Sequence, residues 1–169
     1  MMNHARTLFV LAAATLLALG GCSGSGDSNS GSLTAPPGGS AIRLAGGDVL
    51  IGGQSVSGAT IAQGSGTSTL FTTTLVDPSD ASRVRTMYMD YPAHSSMGMM
   101  GSMERLQLYD DGTHGDLAPG DGWYCYLDVD GHIGPHDDDC PKGEYLYTFH
   151  GTDIEGHDTN TIDCRVTVR

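Results

Sequence analysis

The sequence predicts an all-β domain, two antiparallel sheets packed face to face, and three observations carry that expectation. Helix-forming material is scarce: 169 residues include 25 glycines but one lysine, Lys142, and three glutamates. Several runs alternate along the chain with period two, the pattern of a strand that buries one face. Turn formers such as Asp77-Pro78, Gly112, Gly120, Gly131, Pro141-Lys142-Gly143 and Gly156 separate those runs at short intervals.

The chain opens on a targeting signal. Residues 1–6 carry one arginine, and residues 8–19 are an unbroken apolar or small run. Twelve helical residues reach roughly 18 Å, short of a hydrocarbon core of ~30 Å, so an export signal fits better than a membrane span. The run Leu19-Gly20-Gly21-Cys22 resembles a bacterial lipobox. The resemblance implies that residues 1–21 are removed and that Cys22 is lipidated as the new N-terminus. An ordinary signal peptide with an incidental Cys22 is the alternative. Several acyl chains on one residue hold a protein to a membrane durably. Ser23 in second place, rather than Asp, points by the same resemblance to the outer membrane of the bacterial envelope, on its periplasmic or surface face.

Residues 22–40 are mostly Gly, Ser, Pro and Thr without apolar periodicity. Such a stretch buries too little surface to offset its ordering entropy and reads as a disordered tether. The folded domain is expected over 41–169. Its first part, 46–64, has Val49, Ile51, Val56 and Ile61 among glycines and suggests one or two weak edge strands. In 69–76, Phe71, Thr73 and Leu75 share a face. Val84, Thr86 and Tyr88 form the next stripe, followed by Leu106 and Leu108. Trp123, Cys125, Leu127 and Val129 are read as an inward stripe opposite Tyr124, Tyr126 and Asp128. Tyr145, Tyr147 and Phe149 follow, and Ile162, Cys164, Val166 and Val168 close the chain. About seven short strands with turns between them suggest an antiparallel sandwich of immunoglobulin type.

The run from Leu108 to Tyr124, L-Y-D-D-G-T-H-G-D-L-A-P-G-D-G-W-Y, resembles the "choice-of-anchor X" domain of bacterial extracytoplasmic proteins. Gly143-Glu144-Tyr145 and Thr152-Asp153-Ile154-Glu155-Gly156 match its later G-x-Y strand and A-x-D-x-x-G turn, with Thr at the small-residue position. Leu75-Val76-Asp77-Pro78 followed by Val84 fits upstream. The resemblance covers about 67–169 and implies an immunoglobulin-like module on a lipoprotein or other surface-anchored chain, with no enzymatic activity attached.

Asp110, Asp111, Asp116 and Asp121 lie within twelve residues, interspersed with Gly112, Gly115 and Gly120 and followed by Gly122. A Ca²⁺ ion takes six to eight oxygens, and glycines let backbone carbonyls turn toward it. The spacing is not that of an EF-hand. The plain alternative is that Asp and Gly simply form turns and cap backbone N–H groups. The second acidic stretch, Asp128 and Asp130 with His132, His136 and Asp137 to Asp139, reads as solvated charge, with a second Ca²⁺ loop or a His/Asp zinc site as alternatives. Six of eight methionines fall in 87–103, and Met97, Met99 and Met103 with His94 are donors suited to Cu(I) in an oxidising compartment. Their alternative is adaptable apolar filler.

With Cys22 lipidated, Cys125, Cys140 and Cys164 remain for one bridge. Read as inward residues near the starts of strands in opposing sheets, Cys125 and Cys164 are the expected pair. Three reduced cysteines are the alternative. No hydrolase elbow, zinc-protease motif or phosphate loop occurs in the chain, so no enzymatic activity is expected. A net charge of −12 argues against nucleic acid as a partner. The expected function is a membrane-anchored binding or structural module, stabilised by Ca²⁺, that meets an envelope protein or polysaccharide. The alternative is envelope copper handling through the 87–103 loop.

Overall fold

Nine strands are formed among the described residues: β1 (Leu44–Ile51), β2 (Gln54–Ser55), β3 (Thr60–Ile61), β4 (Thr69–Leu75), β5 (Val84–His94), β6 (Met100–Leu108), β7 (Trp123–Asp128), β8 (Gly143–Asp153) and β9 (Ile162–Val168). The structure, a computed structural model, describes residues 42–94, 100–131, 133–136 and 138–169. The export signal, Cys22, the 22–40 tether, Met97, Met99, His132 and Asp137 lie outside them, as does the side chain of His94. Seven of the nine strands are six residues or longer, in line with the expected number.

The strands make two sheets, ordered β2-β1-β4-β7 and β3-β9-β8-β5-β6. Every pairing is antiparallel except the two-residue contact of β3 with β9. The expected all-β sandwich is the observed fold. Its core lies between the sheets: Val49 and Phe71 from the first face Tyr147, Phe149, Met89 and Val166 from the second, and all six are fully buried. The rings of Phe71 and Tyr147 meet across the interface at 5.0 Å. Burying one such side chain contributes about 1.5–3 kcal/mol, so this layer supplies most of the drive for the two sheets to pair.

Four expectations need correction. The segment 46–64 does supply two short edge strands, β2 and β3, but 44–51 is a full strand of eight residues paired along β4, because Leu44, Val49 and Ile51 reach the core while its glycines allow close approach. On β5 the buried face is Met87, Met89 and Tyr91, not Thr86 and Tyr88, while Val84, set off by the register irregularity between 84 and 86, packs partly buried against the core as expected. Tyr88 instead packs outside the sandwich, near His150 and under the guanidinium of Arg105. Thr86 is bonded there to Thr152.

On β7 the faces are also reversed. The register aligns Tyr126 with Phe71 and Val49, and Tyr124 with Thr73 and Gly47, so the tyrosines and Asp128 point to the opposing sheet. Trp123, Cys125 and Leu127 share the outer side, where Leu127 and then Val129 are exposed. This overturns the Cys125–Cys164 bridge. Cys125 lies outside the sandwich with its Sγ 3.7 Å from Thr72 Oγ1, whereas Cys164 lies inside and donates to the Gly47 carbonyl at 3.1 Å. The first sheet stands between them. Cys140 sits in the β7–β8 connection and donates to the Pro135 carbonyl. All three thiols are buried, and no disulfide joins them.

Candidate functional site

The Asp–Gly segment 109–122 joins β6 to β7 and owes its position to both ends. Tyr109 exchanges two backbone hydrogen bonds with Cys125, at 2.9 and 2.8 Å, which ties the loop to the edge of the first sheet. The chain then lies against the outer face. A Cβ on Gly115 would fall 2.7 Å from Leu70 Cδ1, and its φ of +96° is open to glycine and strained for other residues. The loop thereby covers Cys125. Burial pushes that thiol up to about 11, with Asp116, Asp121 and Asp110 adding in the same direction against a hydrogen bond to Thr72.

Each carboxylate of the loop is used locally. Asp110 accepts from the N–H groups of Gly120 at 2.6 Å, Asp121 at 3.1 Å and Gly122 at 2.9 Å. Asp116, almost wholly buried, accepts from Gly112 at 2.7 Å and Ala118 at 3.1 Å. Asp121 accepts from Trp123 at 2.9 Å. Asp111 accepts from the backbone and hydroxyl of Thr113. These are the caps that turn-forming Asp residues provide.

The same folding brings Asp110, Asp116 and Asp121 together, with one carboxylate oxygen from each within 4.8 Å of the others. Asp111 is not part of that group. Burial raises the carboxyl of Asp110, the N–H donors oppose that shift, and the nearby Asp121 charge adds to it. Three oxygens on one side of a loop can hold a hard cation with water and carbonyls filling its shell.

The Met/His set is divided by the fold. Met87 and Met89 are core residues and have no access to an ion. Met103 is exposed on β6 opposite Pro92, and His94 is opposite Met100 in the same ladder. In the second acidic stretch the expectation of solvated charge fails at two residues. Asp128 and His136 are 5% and 3% exposed. The Asp128 carboxylate accepts from the N–H groups of Ile133 at 3.0 Å and Gly134 at 2.7 Å, which folds the connection back over the end of the sandwich.

One group escaped the sequence reading as a site. Asp153, Glu155 and His157 place two oxygens and a ring nitrogen within 4.8 Å at the β8–β9 turn. Asp153 there accepts from the backbone N–H groups of Glu155 and His157 at 2.9 and 2.8 Å. Its D-x-E-x-H spacing is the signal that could have found it. No described helix is long and apolar enough to cross a membrane. No family model matches the chain, and no curated protein does.

Proposed function

We propose that this chain is an immunoglobulin-like module of the bacterial envelope, anchored by a lipid on Cys22, with a binding or structural rather than catalytic role. Its 109–122 loop is braced by Ca²⁺ at Asp110, Asp116 and Asp121, and its partner is an envelope protein or polysaccharide. The strand order supports the topology. Without the two-residue strands, β1-β4-β7 faces β9-β8-β5-β6, which corresponds to A-B-E against G-F-C with the fourth strand beside C. The loop and the turn at Asp153–Gly156 are where the choice-of-anchor resemblance places its motifs.

The observation that carries the Ca²⁺ reading is the convergence of three of the four expected carboxylates. A ligand at a hundredfold excess over its Kd stabilises the native state by about 2.7 kcal/mol. Thermal denaturation in millimolar Ca²⁺ should therefore rise by about 10 °C over the same sample in chelator. Asp121→Asn should remove the rise, and it is the cleanest change because Asp121 is exposed and caps a single N–H. A melting curve indifferent to both Ca²⁺ and chelator would leave the loop as a set of turn caps. The anchor is tested by Cys22→Ser, which should move the protein from the membrane to the soluble fraction.

The second reading, copper handling, draws support from the β5–β6 register that sets His94 opposite Met100 with exposed Met103 nearby on β6. Loss of one Cu(I) equivalent on replacing Met97, Met99 and Met103 by Leu would favour it.

A further inference from the structure

The 62–68 and 129–139 connections meet at one end of the sandwich around a cleft of about 230 Å³, lined in part by Gly64, Gly66, Asp130, Gly131, His136 and Asp138. It is separate from the 109–122 loop and polar in character. His136 is its most constrained member. The ring is nine-tenths buried and more, and Nδ1 lies 2.7 Å from Oγ1 of Thr69, a fully buried residue of β4. The other ring nitrogen, Nε2, has no hydrogen bond or ion pair among the described residues.

The surroundings hold that ring in place. A Cβ on Gly134 would fall 2.2 Å from Thr69 Oγ1 and 2.9 Å from His136 Nδ1, so only glycine lets the chain pass beside the pair. Asp128 fixes the same stretch through the N–H groups of Ile133 and Gly134. The Asp138 carboxylate occupies the space where Gly64 would carry a side chain, 1.8 Å from the Cβ position. Neither Asp130 nor Asp138 has a hydrogen bond or ion pair to its carboxylate among the described residues. From 107 to 163 the sequence holds fourteen acids and a single base, Lys142, so the local field favours cations.

A buried imidazole that lines a polar cleft, with one nitrogen bonded inside the protein and the other without a partner among the described residues, is the arrangement of a metal-ligating histidine. The Thr69 hydroxyl can accept from Nδ1–H, and in that tautomer the Nε2 lone pair is left for an ion. A nitrogen donor beside carboxylates suits borderline ions such as Zn²⁺ better than Ca²⁺ or Mg²⁺, which take oxygen alone. We propose that this cleft binds a divalent transition-metal ion, Zn²⁺ or a close relative, through Nε2 of His136, with Asp130, Asp138 and water completing the shell. The three donors are not drawn within 4.8 Å of one another as those of the 109–122 loop are, so the ion enters hydrated and the exposed carboxylates turn toward it.

The test is calorimetric titration of the full chain with ZnCl₂, joined to ¹⁵N NMR of its histidine rings. One Zn²⁺ equivalent should bind, and the His136 Nε2 resonance should move with it. Asp130→Asn with Asp138→Asn, both at exposed positions, should weaken that equivalent about tenfold or more. His136→Gln should abolish it, while Asp121→Asn in the calcium loop should leave it unchanged. Unaltered Zn²⁺ affinity in the Asp130/Asp138 double variant would overturn the proposal. So would a shift of the His157 ring with His136 unmoved, which would place the ion at the β8–β9 turn.

Discussion

Asp128→Ala probes how a single buried carboxylate organises the end of the sandwich. The wild-type side chain is 5% exposed and accepts three backbone bonds, from Asp130 at 3.3 Å, Ile133 at 3.0 Å and Gly134 at 2.7 Å. A hydrogen bond to a charged group contributes about 1.5–3 kcal/mol, and a buried donor left without its partner costs about 1–3 kcal/mol. The Ile133 and Gly134 bonds are buried, while water can reach the N–H of Asp130. Two orphaned donors then cost about 3–5 kcal/mol. Unfolding entropy near 2 cal/mol/K per residue, over the 128 residues from 42 to 169, comes to about 0.27 kcal/mol/K. The melting temperature should therefore fall by about 10–18 °C. Asp128→Asn keeps one acceptor oxygen and should lie between the two. Circular dichroism melts, checked for reversibility, measure all three proteins. An alanine variant melting within about 4 °C of wild type, or about 1 kcal/mol, would refute the reasoning.

Two further predictions test the other layers of the argument. Gly47→Ala would place a Cβ 2.6 Å from Phe149 Cδ2 in the middle of the core, so the ring must move. Overpacking of this kind costs about 1–3 kcal/mol, and a double-mutant cycle with Phe149→Leu should recover part of it; a neutral Gly47→Ala would show that the sheets separate more easily than the contacts imply. Cys125 is completely buried and its thiol is pushed up to about 11 from an ordinary 9.0. A raised value means that its contribution to stability is complete below about pH 9 and is lost as pH climbs through about 11. Iodoacetamide at pH 8 should label Cys125 only after unfolding or loop opening, and Ca²⁺ should slow it further; rapid labelling of the native protein, read by peptide mass mapping, would contradict the loop's cover.

Where one face of a strand is apolar and the other polar, the reading from sequence placed the residues as the structure does. In β8, Tyr145, Tyr147 and Phe149 alternate with Glu144, Leu146 and Thr148, and all three aromatics are fully buried. In β9, Cys164, Val166 and Val168 alternate with polar residues and point inward as expected. In β5 and β7 the alternation is ambiguous. Val-Arg-Thr-Met-Tyr-Met and Trp-Tyr-Cys-Tyr-Leu carry apolar or aromatic groups on both faces, and a shift of one residue exchanges them. Cross-strand partners broke the tie: Tyr126 is aligned with Phe71, and Met89 with Phe149. The 109–122 loop then made the outer position of Cys125 a buried one.

The same distinction separates the chemistry. Composition, period-two alternation and turn residues by themselves determined an all-β chain of about seven longer strands, because these are local preferences of backbone and side chain; they did not mark β1 as a full strand or the extension of β5 and β6 into the 87–103 segment. Residue types also marked the Asp–Gly loop as a place where carboxylates would crowd. Only the tertiary structure decided that Asp111 turns away from Asp110, Asp116 and Asp121, and that Cys125 and Cys164 are kept apart by a sheet. It alone decided that His136, sixty-seven residues from Thr69, is buried against it beside a polar cleft. Those outcomes depend on which strand edges meet and which face each presents, and the register that sets them comes from long-range packing that no local pattern encodes.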